Sequence, residues 1–329
     1  MTILPTVFDV GARYGPHPSW SRLFDKGLCK IHAFEPETEE FEWLEHRYRD
    51  NDRYTINNVG LGDSDTIRSL NIQCHKGQSS FMLPNLDSNW FKVVRPNDCI
   101  TTGRQESVQI IRAEEYIQSG LRQGLIETPP HFLKTDTEGY DLKVMMGFGE
   151  FLSSLFAIRT EVLFSSTYQG GDGFADIHRF MIDNGFRLAN LDYDGCGNAQ
   201  SFLADPRSSH GIINSCEALY IQEDNFYDNL TLEQLLIFLS FLFCNSLADY
   251  AANILERRAD EIAIMASSRN DLLLFIEYEF LVYSKRFENF SEWHYSRCRN
   301  LYRSIFGQEF PVMHEFYRHL NTLGDSPCK

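Results

Sequence analysis

Positive charge is in short supply in this chain. Its 329 residues carry 30 Lys and Arg against 46 Asp and Glu, a net charge of −16. Nucleic-acid backbones are held by clustered cations, and no run of Lys and Arg forms such a cluster, which excludes nucleic acid as the main partner. Long hydrophobic runs are missing too. The longest uncharged apolar stretch, Leu235 to Ala248, is too short to span a bilayer. The first residues show neither the basic nor the apolar segment of a secretory signal. Eight cysteines occur (Cys29, Cys74, Cys99, Cys196, Cys216, Cys244, Cys298, Cys328), but no CxxC pair or metal-finger spacing links them. They read as idle thiols of a soluble, cytoplasmic protein. Repeats and low-complexity segments are absent.

What is present is a packed globular composition, 43% apolar with 14% aromatic. Strand and helix patterns alternate through the first two-thirds. Strands are expected at Val7–Val10, Lys30–Phe34, Tyr54–Val59, Thr66–Gln73, Ser107–Ile111, His131–Thr135, Ala157–Leu163, Phe186–Asp192 and Glu217–Gln222. Helices are expected near Ser19–Lys26, from Pro36, near Glu114, around Leu142–Met146 and after Asp172, which is placed to cap one. Gly77 to Gln105 reads as an irregular surface excursion. Such alternation predicts a mostly parallel sheet covered on both faces. The last two strands, joined by a polar loop containing Asp194 to Asn198, have no helix between them and are expected to pair antiparallel. Beyond Asp224 strand signals stop, and Thr231-Leu-Glu-Gln234 has capping-box form ahead of a long apolar helix. The expected division is therefore residues 1–224 and an all-helical extension, 225–329.

The segment Thr6 to Trp20, TVFDVGARYGPHPSW, runs from a strand ending near Asp9 through a glycine loop, Gly11 to Gly15, into a helix. Such a loop presents bare backbone N–H groups to a ligand. Glu35 closes the second strand 20 positions beyond Gly15, where its carboxylate can take both hydroxyls of a ribose, the alternative being that it caps the helix at Pro36. Spacing alone leaves a dinucleotide and S-adenosylmethionine both open. The reversed final strand speaks against the repeated parallel halves of a dinucleotide fold. The segment HFLKTDTEGYDLKVMMG, His131 to Gly147, adds Lys134, Asp136 and Glu138 at alternate positions across a strand end, where ligands of open α/β sheets bind.

Taken together, FDVGARYG, AFEP at Phe34–Pro36, NVGLGD at Asn58–Asp63, GQSS at Gly77–Ser80, LKTDTEGYDLKVMMG and TEVLF around Glu161 resemble the FkbM family of methyltransferases over about Pro5 to Phe164. Any one of these motifs is weak, and their order and spacing make the combination specific. The resemblance implies a Rossmann-like α/β fold with a seven-stranded methyltransferase sheet and an antiparallel final strand. It also implies methyl transfer from S-adenosylmethionine to oxygen, often on sugars or other secondary metabolites. Ala113-Glu114, Thr135 and Thr137 depart from the family pattern, which weakens transfer of acceptor contacts. The helical extension lies outside the resemblance.

On this reading Asp9, Gly11, Ala12, Arg13, Gly15, Glu35, Pro36, Gly60, Leu61, Asp63 and Asp136 face the cofactor. Asp136, Glu138, Lys134 and Glu161 carry the chemistry, since a hydroxyl is a poor nucleophile without a base. His131 and His75 are weaker candidates. Gln78, Ser79, Ser80 and Trp90, with Phe91, are placed at the acceptor. No metal-ligand spacing stands out, although strand-end carboxylates suit a hard divalent cation. The expected partner is a small-molecule or glycan acceptor. N-methylation of a small amine and a cofactor-binding scaffold with a partner-recruiting tail are the alternatives. The apolar helix Leu235–Phe243 must be covered, either within the chain or by a second copy in a homodimer.

Overall fold

A computed structural model describes residues 4–96, 98–200, 211–223, 225–266, 270–288 and 291–311, with side chains left aside at 193–195. In chain order the elements are β1 (Thr6–Val10), α1 (Pro18–Asp25), β2 (Lys30–Phe34), α2 (Thr38–Tyr48), β3 (Tyr54–Asn57), β4 (Gly60–Gly62), β5 (Thr66–Gln73) and β6 (Thr101–Arg112). Then come α3 (Ala113–Gln123), β7 (Phe132–Thr135), α4 (Asp141–Met146), β8 (Ala157–Leu163), α5 (Phe174–Asp183), β9 (Phe186–Gly197) and β10 (Ile212–Gln222). The remainder is helical: α6 (Leu232–Cys244), α7 (Ala248–Arg257), α8 (Ala259–Ala266), α9 (Asp271–Lys285) and α10 (Glu292–Phe306).

The chain divides into two compact units. One holds Pro5–His17 and Cys29–Phe226 and is built on a seven-stranded sheet, order β3-β2-β1-β7-β8-β10-β9. The first five are parallel, and β10 runs antiparallel between β8 and β9, as the missing helix between the last two strands requires. One face packs as a dry core of Phe8, Leu133, Ile158 and Tyr220 with Ile117, Val144 and Ile177 from α3, α4 and α5. Across the register Asp9 lies beside Lys134, and Lys134 beside Arg159, so their side chains share one face.

Several expectations are corrected. A second sheet, order β4-β6-β5, forms from the expected strands Thr66–Gln73 and Ser107–Ile111 together with β4, which was not expected, and Thr101–Gln105, placed in the irregular excursion, extends β6. The residues of this extension are exposed and polar and show no apolar alternation, and the Gln105 side chain donates to Asn71 Oδ1 (2.7 Å) across the strands. Asp194 to Gly197 belong to β9 and not to a loop. α5 starts after Gly173, whose N–H donates to Asp176 at 3.0 Å, so Asp172 does not cap it. Two cysteines are not idle. Cys74 and Cys99 form a disulfide at the two ends of the expected excursion.

The second unit gathers α1, Pro18–Leu28, with the described residues from Tyr227 on. Thr231 Oγ1 accepts the Gln234 N–H (3.3 Å), and Gln234 Oε1 accepts that of Thr231 (3.0 Å), the expected capping box. α6 is buried along all of Leu235–Phe243 and packs against α1, α7 and α9. Covering it therefore takes no second copy of the chain. On α1, Trp20, Leu23 and Phe24 are buried, Asn245 donates to the Ser19 carbonyl (3.1 Å), and Arg22 pairs with Glu279 of α9. No described helix is long and apolar enough to cross a membrane.

Because α1 is emitted between β1 and β2 yet packs on α6, ending the chain at Phe226 would strip the cover from three large apolar side chains. We expect such a truncation to be insoluble on expression. A soluble, monomeric truncation with full activity would show that the helical unit is dispensable.

Candidate functional site

The site gathers where β1, β2, β7 and β8 end. β1 closes at Val10 and Gly11 takes a φ of +74°. A Cβ there would stand 2.0 Å from the Asp136 carbonyl oxygen, so only glycine lets the loop pass β7. Gly15 (φ +97°) is held as tightly, by the Tyr48 hydroxyl 2.5 Å from its would-be Cβ. Lys134, 5% exposed, joins the parts. Its Nζ donates to the Gly11 carbonyl (2.7 Å) and lies 3.5 Å from both Asp9 and Asp136. Burial would lower the Lys134 pKa, but Asp136 and Asp9 raise it above its ordinary value. Lys134 is thus a fixed cation, and its place is structural.

Glu35 is 4% exposed at the end of β2. Burial lifts its carboxyl to about 7, against the lowering effect of Arg13 and the Glu37 N–H. Its Oε1 accepts that N–H at 2.8 Å, which ties it to the residue ahead of α2, although α2 starts at Thr38 and no side chain caps it. A carboxylate raised this far by burial is one that extra hydroxyl donors would stabilise, which fits a ribose. Arg13 faces acids instead of solvent, pairing with Glu37 and with Glu40 (3.7 Å). Gly60 and Leu61 are buried on β4, where a Cβ on Gly60 would strike Ile110 and Phe81. Their part is packing, and Asp63 pairs with Lys143 at 3.5 Å.

The turn after β7 does what strand alternation alone would not. Glu138 and Gly139 take φ of +55° and +89°, a conformation rare for a glutamate. Asp141 holds the turn by accepting the N–H groups of Thr137 (3.1 Å) and Gly139 (3.3 Å). The result brings carboxylate oxygens of Asp136, Glu138 and Glu161 within 4.8 Å of one another. This grouping could hold a hard cation. Burial, with Asp136 adding to it, pushes Glu138 up to about 8; the Tyr168 hydroxyl donates to it at 2.5 Å.

Ser80 is 1% exposed and donates to the Glu138 carbonyl (2.6 Å), so it supports the turn. Gln78 accepts from Arg95 (3.0 Å) and Ser79 from the Gln73 N–H (3.3 Å). Trp90 is half-buried in a short π-helix, close against Gly197 of β9. His131 accepts the Thr6 N–H (3.0 Å), and burial lowers it to about 4, a core histidine. His75 lies just ahead of the 3-10 turn Lys76–Gln78.

Sequence reasoning missed Tyr168 and a second network. His17, two residues past Gly15, lies 3.1 Å from Glu217, which also accepts from Arg159 (2.8 Å). Burial opposes ionisation of Glu217, but His17 and Arg159 prevail and hold it down at about 2. His17 was visible beside the glycine loop; nothing in the sequence joined it to a strand 200 residues on.

Residues 9–188 match the methyltransferase FkbM domain. None of the curated proteins compared matches the chain. Among solved structures, methyltransferase FkbM from Methylobacillus flagellatus KT is 15% identical with a TM-score of 0.37; the match covers 66% of this chain and 43% of that one. The magnesium protoporphyrin IX methyltransferase of Synechocystis PCC 6803, with bound SAM, is 9% identical (TM-score 0.32, covering 67% and 71%). The domain match spans more than half the sequence, from Asp9 near the end of β1 to the start of β9, and the chain belongs to the FkbM methyltransferase family.

Proposed function

We propose that the chain is an S-adenosylmethionine-dependent O-methyltransferase acting on a hydroxyl of a sugar, glycan or other small-molecule acceptor. One observation carries the reading: buried Lys134 binds the glycine loop, Asp9 and the half-exposed Asp136 into a single arrangement. When bound, the cofactor supplies an activated methyl group. The chain's own task is then to align the hydroxyl, exclude water and take up its proton. Asp136 is the base, with its side chain 42% exposed and a fixed cation beside it. Glu138, lifted to about 8, keeps its proton at neutral pH and orients the acceptor. Glu161 completes the group.

Calorimetry tests the cofactor. S-Adenosylhomocysteine should bind and NAD should not, and Glu35→Ala should weaken binding by about 1–3 kcal/mol through ribose hydroxyls left unpaired. The pH dependence has a definite sign. With Glu35 at about 7 in the free protein and lower when hydroxyls donate to it, affinity should rise with pH up to about 7 and then level off. Glu35→Gln should flatten that rise. NAD binding, or a flat profile in the wild type, would contradict the assignment.

The convergence of Asp136, Glu138 and Glu161 also suits a cationic amine, which favours N-methylation as the second reading. The ammonium must pass its proton to one of these carboxylates before its nitrogen can attack, and with Glu161 able to take it this reading predicts only a partial loss in Asp136→Asn. Release of S-adenosylhomocysteine with a crude glycan extract separates either enzyme from a cofactor-binding scaffold. Turnover surviving EDTA would leave the three carboxylates to the acceptor, whereas loss restored by Mg²⁺ would assign them to a metal.

A further inference from the structure

Behind the end of β8 lies a cavity of about 380 Å³, at the small end of the ~300–1,000 Å³ typical of ligand pockets. Its walls are the β8–α5 connection, including Phe164, Ser166, Tyr168, Asp172 and Phe174. We propose that this cavity is the acceptor site and that it takes a single uncharged sugar ring, stacked on Phe164 with its hydroxyls toward Asp172, while anionic acceptors are turned away. The inference rests on the methyltransferase reading above and adds to it where the acceptor sits and which charge it carries.

Three independent observations converge. The first is aromatic. Phe164 stacks on Phe174 (centroids 5.1 Å, 29°) and Phe174 on His178 (5.2 Å, 15°), and the outermost ring, Phe164, is 42% exposed. A ring backed on one face by a stack and open on the other is a rigid platform for the C–H face of a sugar. The Phe164 N–H donates to the Asn214 carbonyl at 2.7 Å, which fixes the platform to β10.

The second is position. Tyr168 lines the cavity, and its hydroxyl reaches Glu138 at 2.5 Å. One residue therefore lines the cavity and also touches Glu138, the acceptor-orienting member of the cluster that contains the base Asp136. A sugar in the cavity can present a hydroxyl along that wall.

The third is charge. Asp172 and Asp176 line the cavity, and the carboxylates of Asp136 and Glu161 stand beyond Tyr168. The cations that act on these acids are already engaged: Lys134 is shared among Asp136, Asp9 and the Gly11 carbonyl, Lys143, which acts on Asp172, pairs with Asp63 (3.5 Å), and Arg95, which acts on Glu138, pairs with Asp98 (2.5 Å). A phosphate or carboxylate entering here would meet like charge, and the cations named above are already paired. A neutral polyol meets acceptors for its hydroxyls.

The test uses the full chain and four probes: methyl β-glucoside, methyl α-mannoside, glucuronate and glucose 1-phosphate. Saturation-transfer NMR reads binding, and S-adenosylhomocysteine release reads turnover. At least one neutral glycoside should bind, and both anions should not. Phe164→Ala should weaken that binding at least tenfold with S-adenosylhomocysteine affinity unchanged, and Phe164→Tyr should restore it. Asp172→Asn should narrow the discrimination against glucuronate. Binding of neither neutral glycoside, preference for an anion, or indifference to Phe164→Ala would each overturn the proposal. The methyltransferase reading fails separately, through absent cofactor binding.

Discussion

Asp136→Asn is expected to lose about 10²–10⁴-fold in turnover, the usual cost of removing a general base, while S-adenosylhomocysteine binds nearly as in the wild type. The separation follows from geometry. Asp136 Oδ2 lies 3.5 Å from Lys134, but the loop itself is held by the Lys134 bond to the Gly11 carbonyl, which asparagine leaves untouched. Glu138→Gln should act differently. Because Glu138 is lifted to about 8, its neutral form already prevails at pH 7, and glutamine should mainly raise the acceptor KM. Steady-state kinetics with calorimetry on the same preparations decides the matter. Wild-type turnover in Asp136→Asn would move the base to Glu161 or to a bound metal.

Lys134→Met should be the most damaging change to the fold. Methionine fills the space but leaves Asp9, 1% exposed, as a buried charge without its cation, and frees the Gly11 carbonyl. Breaking a buried pair from one side typically costs about 3–5 kcal/mol. The melting temperature should fall clearly and cofactor binding should be lost with it. The sign of the pH effect identifies the cause. Burial already raises the Asp9 pKa with Lys134 present, and removing the cation raises it further, so Asp9 protonates readily in the variant. The deficit relative to wild type should shrink as pH falls. A variant that melts like wild type at pH 8 would refute the clamp.

The central sheet was legible because buried parallel strands and amphipathic helices leave different periods in the sequence. In the second sheet Thr66–Gln73 and Ser107–Ile111 were legible as strands, but β4 and the Thr101–Gln105 extension of β6 were not, since that extension is exposed and shows no apolar alternation. In the site, Asp136 and Lys134 followed from strand alternation. Glu138 reaches Glu161 through a turn at positive φ, and only the tertiary fold joins Tyr168 to it. The partner of α1 was equally hidden: Trp20, Leu23 and Phe24 form an apolar stripe that would suit a sheet as well as a helix.

The placement of α1 also bears on how the protein is made. Translation finishes this helix early, yet α6, against which it packs, leaves the ribosome roughly 200 residues later, a delay of about 10–40 s at typical elongation rates. During that interval the nascent chain carries three large apolar side chains between its first two strands with nothing to cover them. Docking of the first helix therefore waits until α6 has emerged, and until then Pro18–Asp25 lacks its native cover. Stalled or prematurely terminated products should aggregate and not accumulate as partly active enzyme.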